Sequence, residues 1–181
     1  MIFKNLFRSV LLLSSFSLTL GIGGCTFGPV YKGSEHLEQY SSNFLLGEGH
    51  KQFVDGQFKR AAENYCMAAY KGDESANYFC SASTVVYLGS RLPSDYSGGI
   101  CTQEQKGQAI KITYRASKYG EPSKQVFHDL MHGGFSPGIH GQHWCGSFRS
   151  HSETIYRDVM DKIPPNFKAN ELKLELKKVE L

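Results

Sequence analysis

Between Gln57 and Lys71 the chain reads QFKRAAENYCMAAYK, and this run constrains the fold more than any other. Phe58, Ala61, Ala62, Tyr65, Ala68 and Ala69 recur at a 3.6-residue period, which draws one apolar face along a helix. Gly72 then breaks the helix and Asp73 is suited to cap the next one. The helical pattern resumes from Glu74 to Leu88, although Ser81, Ser83, Thr84, Val85 and Val86 lower its intrinsic propensity. The expectation is an antiparallel pair of helices over 57–71 and 74–88.

The design recurs once. A shift of 48 residues aligns Ala61 with Ala109, Ala68 with Ala116, Gly72 with Gly120, Asp73 with Glu121, Ser75 with Ser123 and Phe79 with Phe127. The matched positions are the small residues that let helices approach, the glycine at the turn and an aromatic on the returning helix. Two helical hairpins follow, separated by the Gly/Ser/Pro-rich stretch from Gly89 to Cys101. A third helical pattern, Ser152 to Ile163, places Ile155, Val159 and Ile163 on one side and stops at Pro164-Pro165. The tail is two-faced: Leu172, Leu174 and Leu176 alternate like a strand, whereas Leu172, Leu176 and Val179 suit a helix. Without partner strands elsewhere it reads as a helix that caps the array or frays. The predicted fold class is therefore all-α, a short array of antiparallel helical hairpins.

Here the chain resembles known repeat families. Gly49, Gly56, Phe58, Ala61, Tyr65 and Ala68 fall on the glycine, aromatic and alanine spacing of tetratricopeptide repeats. The segment from Ala68-Ala69 through Gly72 and Ala76 to Tyr87-Leu88-Gly89 resembles the related Sel1-like repeat, as does Ala109 through Gly120. The likeness spans about residues 40–132. It implies stacked hairpins that bind a protein or peptide partner rather than catalyse a reaction.

The N-terminus carries a different signal. Lys4 and Arg8 precede an apolar run from Val10 to Leu20, which at 11 residues is too short for the ~20 that a bilayer core requires. The run ends at Ile22-Gly23-Gly24-Cys25, which resembles the bacterial lipobox. That resemblance implies cleavage before Cys25, a diacylglyceryl thioether on it and an acylated new amino terminus. Several acyl chains anchor stably where one does not. Thr26 stands where the family's inner-membrane retention signal is Asp, so the expected site is the outer membrane, with the domain in the periplasm. The expected division is 1–24 signal peptide, 25–36 tether, 37–163 helical-repeat domain and 164–181 tail or capping helix.

Cleavage also changes the charge. The precursor holds 20 Lys and Arg against 17 Asp and Glu, but residues 25–181 hold 18 against 17. A nearly neutral domain lacks the footprint of a nucleic-acid binder. With Cys25 committed to lipid, Cys66, Cys80, Cys101 and Cys145 remain, and in an oxidising compartment they suggest two disulfides among three connectivities. Cys66 and Cys80 flank the Gly72-Asp73 turn at nearly equal distances and so stand level in an antiparallel pair. Cys101 precedes the second hairpin and Cys145 follows it, which favours that pairing. Secreted Sel1-like proteins often tie the helices of a repeat in this way.

Five of the seven histidines lie between 128 and 151. His128 and His132 stand four apart on one helix face, and His140 and His143 on a glycine-rich loop offer further ligands for zinc or copper. The segment His128-Asp129-Leu130-Met131-His132 differs from the metalloprotease motif at Asp129, a methylene short of the glutamate that serves as base. Cys145 lies near His143 but lacks an orienting acid, and Gly98-Gly99 lacks a nucleotide-binding fingerprint. No catalytic residue and no cofactor are predicted. The leading expectation is a lipid-anchored interaction scaffold; the alternative is a metal-binding lipoprotein using His128, His132, His140 and His143.

Overall fold

The computed structural model describes residues 28–92, 101–135 and 144–168. The described residues are helical and include no strand. The order is α1 (Ser42–Val54), α2 (Phe58–Tyr70), α3 (Ser75–Ser90), α4 (Gln103–Ala116), α5 (Ser123–His132) and α6 (Trp144–Lys162). Short 3-10 turns occupy Glu35–Gln39 and Ser117–Tyr119. None of these helices is long and apolar enough to cross a membrane. The leader, Cys25, His140, His143 and the tail from 169 lie outside the described residues.

The hairpin expected over 57–88 is α2 and α3. Ala61, Ala62, Tyr65, Ala68 and Ala69 are all buried, so the apolar face faces inward as its period requires. Gly72 turns the chain at φ +93°, a left-handed value that a side chain would strain. Asp73 Oδ1 accepts from the Ser75 backbone N–H at 3.0 Å and satisfies one orphan donor of α3. The Cys66–Cys80 disulfide then crosses the hairpin with its Cα atoms 4.4 Å apart.

Close approach depends on missing side chains. A Cβ on Gly49 would stand 2.6 Å from the Tyr65 ring, so α1 lies flush against α2 only because that carbon is absent. Asn64 Nδ2 donates to Gln52 Oε1 at 2.7 Å along the same seam. The second hairpin starts at a capping box formed by Thr102 and Gln105. Its turn docks onto α3 through serines: Ser81 Oγ donates to Gly120 O at 2.9 Å, the Ser123 N–H donates to Ser81 Oγ at 2.8 Å, and Ser123 Oγ donates to Ser81 O at 2.7 Å. Both serines are fully buried, so this bracket satisfies polar groups that a purely apolar seam would strand.

Two elements differ from expectation. The third helix begins at Trp144, eight residues before Ser152, because Trp144 and Phe148 extend its buried stripe through Ser152, Ile155 and Val159. This helix, α6, runs antiparallel along α3 more extensively than α4 or α5 does. Its start is tied to the segment before α4 by Cys101–Cys145, with Cα atoms 6.1 Å apart. The stretch read as a tether, 25–36, belongs to the fold from Val30 onward. Val30 and Tyr31 are buried, and the Tyr31 hydroxyl donates to Thr84 Oγ1 at 3.0 Å. Finally, the chain past Pro164 folds back far enough to set Phe167 beside His50, ring centroids 5.0 Å apart. Thus α3 is the hub, contacted by α2, α6 and the α4–α5 hairpin.

Candidate functional site

A surface depression opens where the start of α2, the end of α3 and the middle of α6 meet. Phe58, the first residue of α2, packs edge-on against Phe53 at 5.2 Å and Tyr156 at 5.7 Å, and Phe53 and Tyr156 stack at 5.6 Å. Three rings in mutual contact make a stiff floor, since aromatic pairs hold preferred geometries. Over it opens a depression of about 220 Å3 lined by Phe58, Val86, Gly89, Ser152, Glu153 and Tyr156. Arg149 forms its edge, where Nη1 donates to Leu92 O at 2.9 Å and Nε to Glu153 Oε1 at 3.3 Å. A second depression of about 350 Å3 adjoins it across Phe58 and Ser90, bounded by Lys59, Arg60 and Tyr87.

The two hollows form one shallow trough with an aromatic base and a rim of both charges. Each is near or below the smaller end of the ~300–1,000 Å3 typical of enclosed small-molecule sites. The geometry suits an extended segment laid along the trough. Gly89 sets its depth, because a Cβ there would lie 1.9 Å from Ser152 Oγ and hold α6 away from α3.

The most perturbed base lies elsewhere. His50 on α1 is 5 % exposed, shares a 2.8 Å hydrogen bond with the Tyr65 hydroxyl, and is ringed by Tyr65, Phe79 and Phe167. Burial draws its pKa from 6.5 down to about 4, so the ring is neutral at neutral pH. Burial likewise holds the Tyr65 hydroxyl well above the usual phenol value. No acid is among these partners, and the arrangement reads as a satisfied polar contact inside an aromatic core.

Of the histidines singled out from sequence, His128 and His132 are brought together on α5, ring centroids 4.5 Å apart. Both are exposed, and His128 Nδ1 stands 3.5 Å from Asp129 Oδ1. Asp129 is itself committed, accepting from Gln125 Nε2 at 2.8 Å. Among the described residues no three potential ligands converge as a metal site. The four cysteines other than Cys25 form two disulfides, Cys66–Cys80 and Cys101–Cys145. Among the tyrosines, Tyr65 is buried, whereas Tyr70 and Tyr114 are 41 % and 49 % exposed.

Sequence reasoning missed the trough and His50. Phe58 was legible as a helix-face residue, but Tyr156 and Arg149 join it only through the α3–α6 contact, for which the local pattern holds no signal. No protein-family model, curated protein or solved structure matches this chain.

Proposed function

We propose that this chain is a lipid-anchored protein of the outer membrane, whose periplasmic domain of Sel1-like or tetratricopeptide-type hairpins binds a protein or peptide segment in the Phe58 trough. The observation that carries the reading is the trough itself. Phe58 and Tyr156 offer aromatic area at low conformational cost, while Arg149, Glu153, Lys59 and Arg60 supply directional contacts around it. The Cys66–Cys80 bridge and the Gly89–Ser152 seam stiffen the walls, which lowers the ordering cost of binding.

A photo-crosslinking residue at Ser90, inside the trough, tests this in cells producing the full chain. A discrete adduct from Ser90 is expected, absent when the probe sits at exposed Lys51 and weakened by Glu153→Lys. Equal labelling from both positions would refute the trough as a binding site. Mass spectrometry of the mature amino terminus tests the anchor separately; an unmodified Cys25 would refute it.

The 4.5 Å approach of His128 and His132 supports a second reading, a zinc or copper site that uses this pair with His140 and His143. Metal analysis of untagged protein decides it. Stoichiometric metal that disappears in His128→Ala with His132→Ala supports the site, and metal-free folded protein removes it.

A further inference from the structure

Basic residues are unevenly placed along this chain. Between Gln103 and Lys124 stand five, Lys106, Lys111, Arg115, Lys118 and Lys124, against Glu104 and Glu121. The rest of residues 25–181 has 13 basic and 15 acidic side chains. The excess therefore belongs to α4 and the turn that follows it.

The fold turns that local excess into a surface. Arg115, Lys118 and Lys124 surround one hollow with Tyr114 and Ser117, and Arg115 also borders a second with Gly28, Pro29, Lys32 and Glu35. Arg115 joins the two, since its Nη1 donates to Val30 O at 3.3 Å and pins the incoming chain to α4. Lys118 Nζ lies over the Tyr70 ring at 5.6 Å, and both Tyr70 and Tyr114 expose more than a third of their surface here. Glu35 borders this ground, and Glu121, three residues before Lys124, has its Oε2 accepting from the Gln125 N–H.

The position of this surface matters as much as its charge. The described chain begins at Gly28, on the border of the basic patch. Three residues of extended chain reach at most about 11 Å, so a lipid on Cys25 would hold Gly28 close to the bilayer surface. Lysine and arginine favour anionic headgroups, and tyrosine favours the interfacial layer.

We propose that the face carrying Lys32, Tyr114, Arg115, Lys118 and Lys124, with Lys111 one helical turn before Arg115 on α4, rests on anionic phospholipid headgroups and orients the domain on its membrane. This rests on the lipid-anchor reading, with the acyl chains supplying attachment and the patch supplying orientation. Tyr70 and Phe58 are opposite ends of α2, about 18 Å apart for a helix of that length, so the patch and the trough draw on different ends of that helix.

The test uses the full, lipidated chain reconstituted into vesicles of phosphatidylcholine alone, or of two parts phosphatidylcholine to one part phosphatidylglycerol. Lysine acylation is read residue by residue. Labelling of Lys111, Lys118 and Lys124 is expected to fall roughly threefold or more on the anionic vesicles and to recover in high salt. Lys51 and Lys59, exposed on other helices, are expected to change little. Lys111→Glu with Lys118→Glu should restore labelling of Lys124 on anionic vesicles, with an unchanged circular-dichroism melt showing that the fold is intact. Equal labelling on the two vesicle types, or equal protection of Lys51 and Lys59, overturns the proposal. Mass spectrometry of Cys25 separates the failures: acylated protein with unprotected lysines overturns the orientation alone, whereas unacylated protein overturns the anchor.

Discussion

Two glycine-to-alanine substitutions, in α3 and in α4, should move stability in opposite directions. In a helix, alanine is intrinsically favoured over glycine by about 0.5–1 kcal/mol. At Gly107 a new Cβ meets nothing within 4 Å, so Gly107→Ala should gain that amount. At Gly89 the same carbon would stand 2.3 Å from Ser152 Cβ and 1.9 Å from Ser152 Oγ. The hydroxyl can rotate, but the Cβ is fixed to α6, so the two helices must part and loosen the packing around Phe148 and Ile155. Overpacking of this kind costs about 1–3 kcal/mol, and a Cβ–Cβ approach this short falls in the upper part, about 2–3 kcal/mol, which leaves Gly89→Ala about 1–2 kcal/mol less stable once a propensity gain of about 1 kcal/mol is subtracted. For a chain of this size that is a fall in Tm of about 2–8 °C, against a rise of about 1–4 °C for Gly107→Ala. Far-UV circular dichroism through thermal and denaturant unfolding measures both. The double variant Gly89→Ala with Ser152→Gly removes the clashing atoms and should show a favourable coupling of about 1 kcal/mol in a double-mutant cycle. Should Gly89→Ala gain stability as Gly107→Ala does, the packed α3–α6 seam would be refuted.

Other perturbations address the interior. Because the folded pKa of His50 is depressed to about 4, the unfolded chain binds the proton more readily, and stability should fall by up to about 3 kcal/mol as pH drops from 6.5 to 4. Denaturation midpoints across that window should lose this part of their slope in His50→Asn; an unchanged slope would exclude the histidine as its source. Opening Cys66–Cys80, which spans 14 residues, should cost about 3 kcal/mol, and Cys101–Cys145, which spans 44, about 4 kcal/mol. Paired cysteine-to-alanine variants report each loss, and non-reducing peptide mapping should recover only these two linkages. Ser81→Ala should cost about 1–3 kcal/mol, because it strands the buried Ser123 N–H; a neutral result by denaturant titration would count against the serine bracket.

Much of the helical layout can be read directly from residue order. Ala61, Tyr65 and Ala68 share a face because 3.6 residues make a turn, and Gly72 must lie at a break whatever surrounds it. The Cys66–Cys80 pairing follows from that same local symmetry. The start of α6 was harder to read, since Gly146, Ser147, Ser150 and Ser152 dilute the pattern that Trp144 and Phe148 begin. Val30 and Tyr31 looked like tether because burial of so short an apolar pair depends on Thr84 and Tyr87, supplied by a distant helix.

The residue order by itself determined an all-helical chain, its first hairpin and its supply of small residues, since periodicity and turn chemistry act over a few residues. Only the tertiary structure decided that α6 lies along α3, that Phe58 meets Tyr156, that His50 is held neutral, and that Arg115 of α4 meets the incoming chain at Val30. Those outcomes depend on which faces fit one another across long separations, as when Arg149 reaches Leu92 across 57 residues. Shape complementarity of that kind, a missing carbon at Gly89 against a small side chain at Ser152, exists only once both helices are in place.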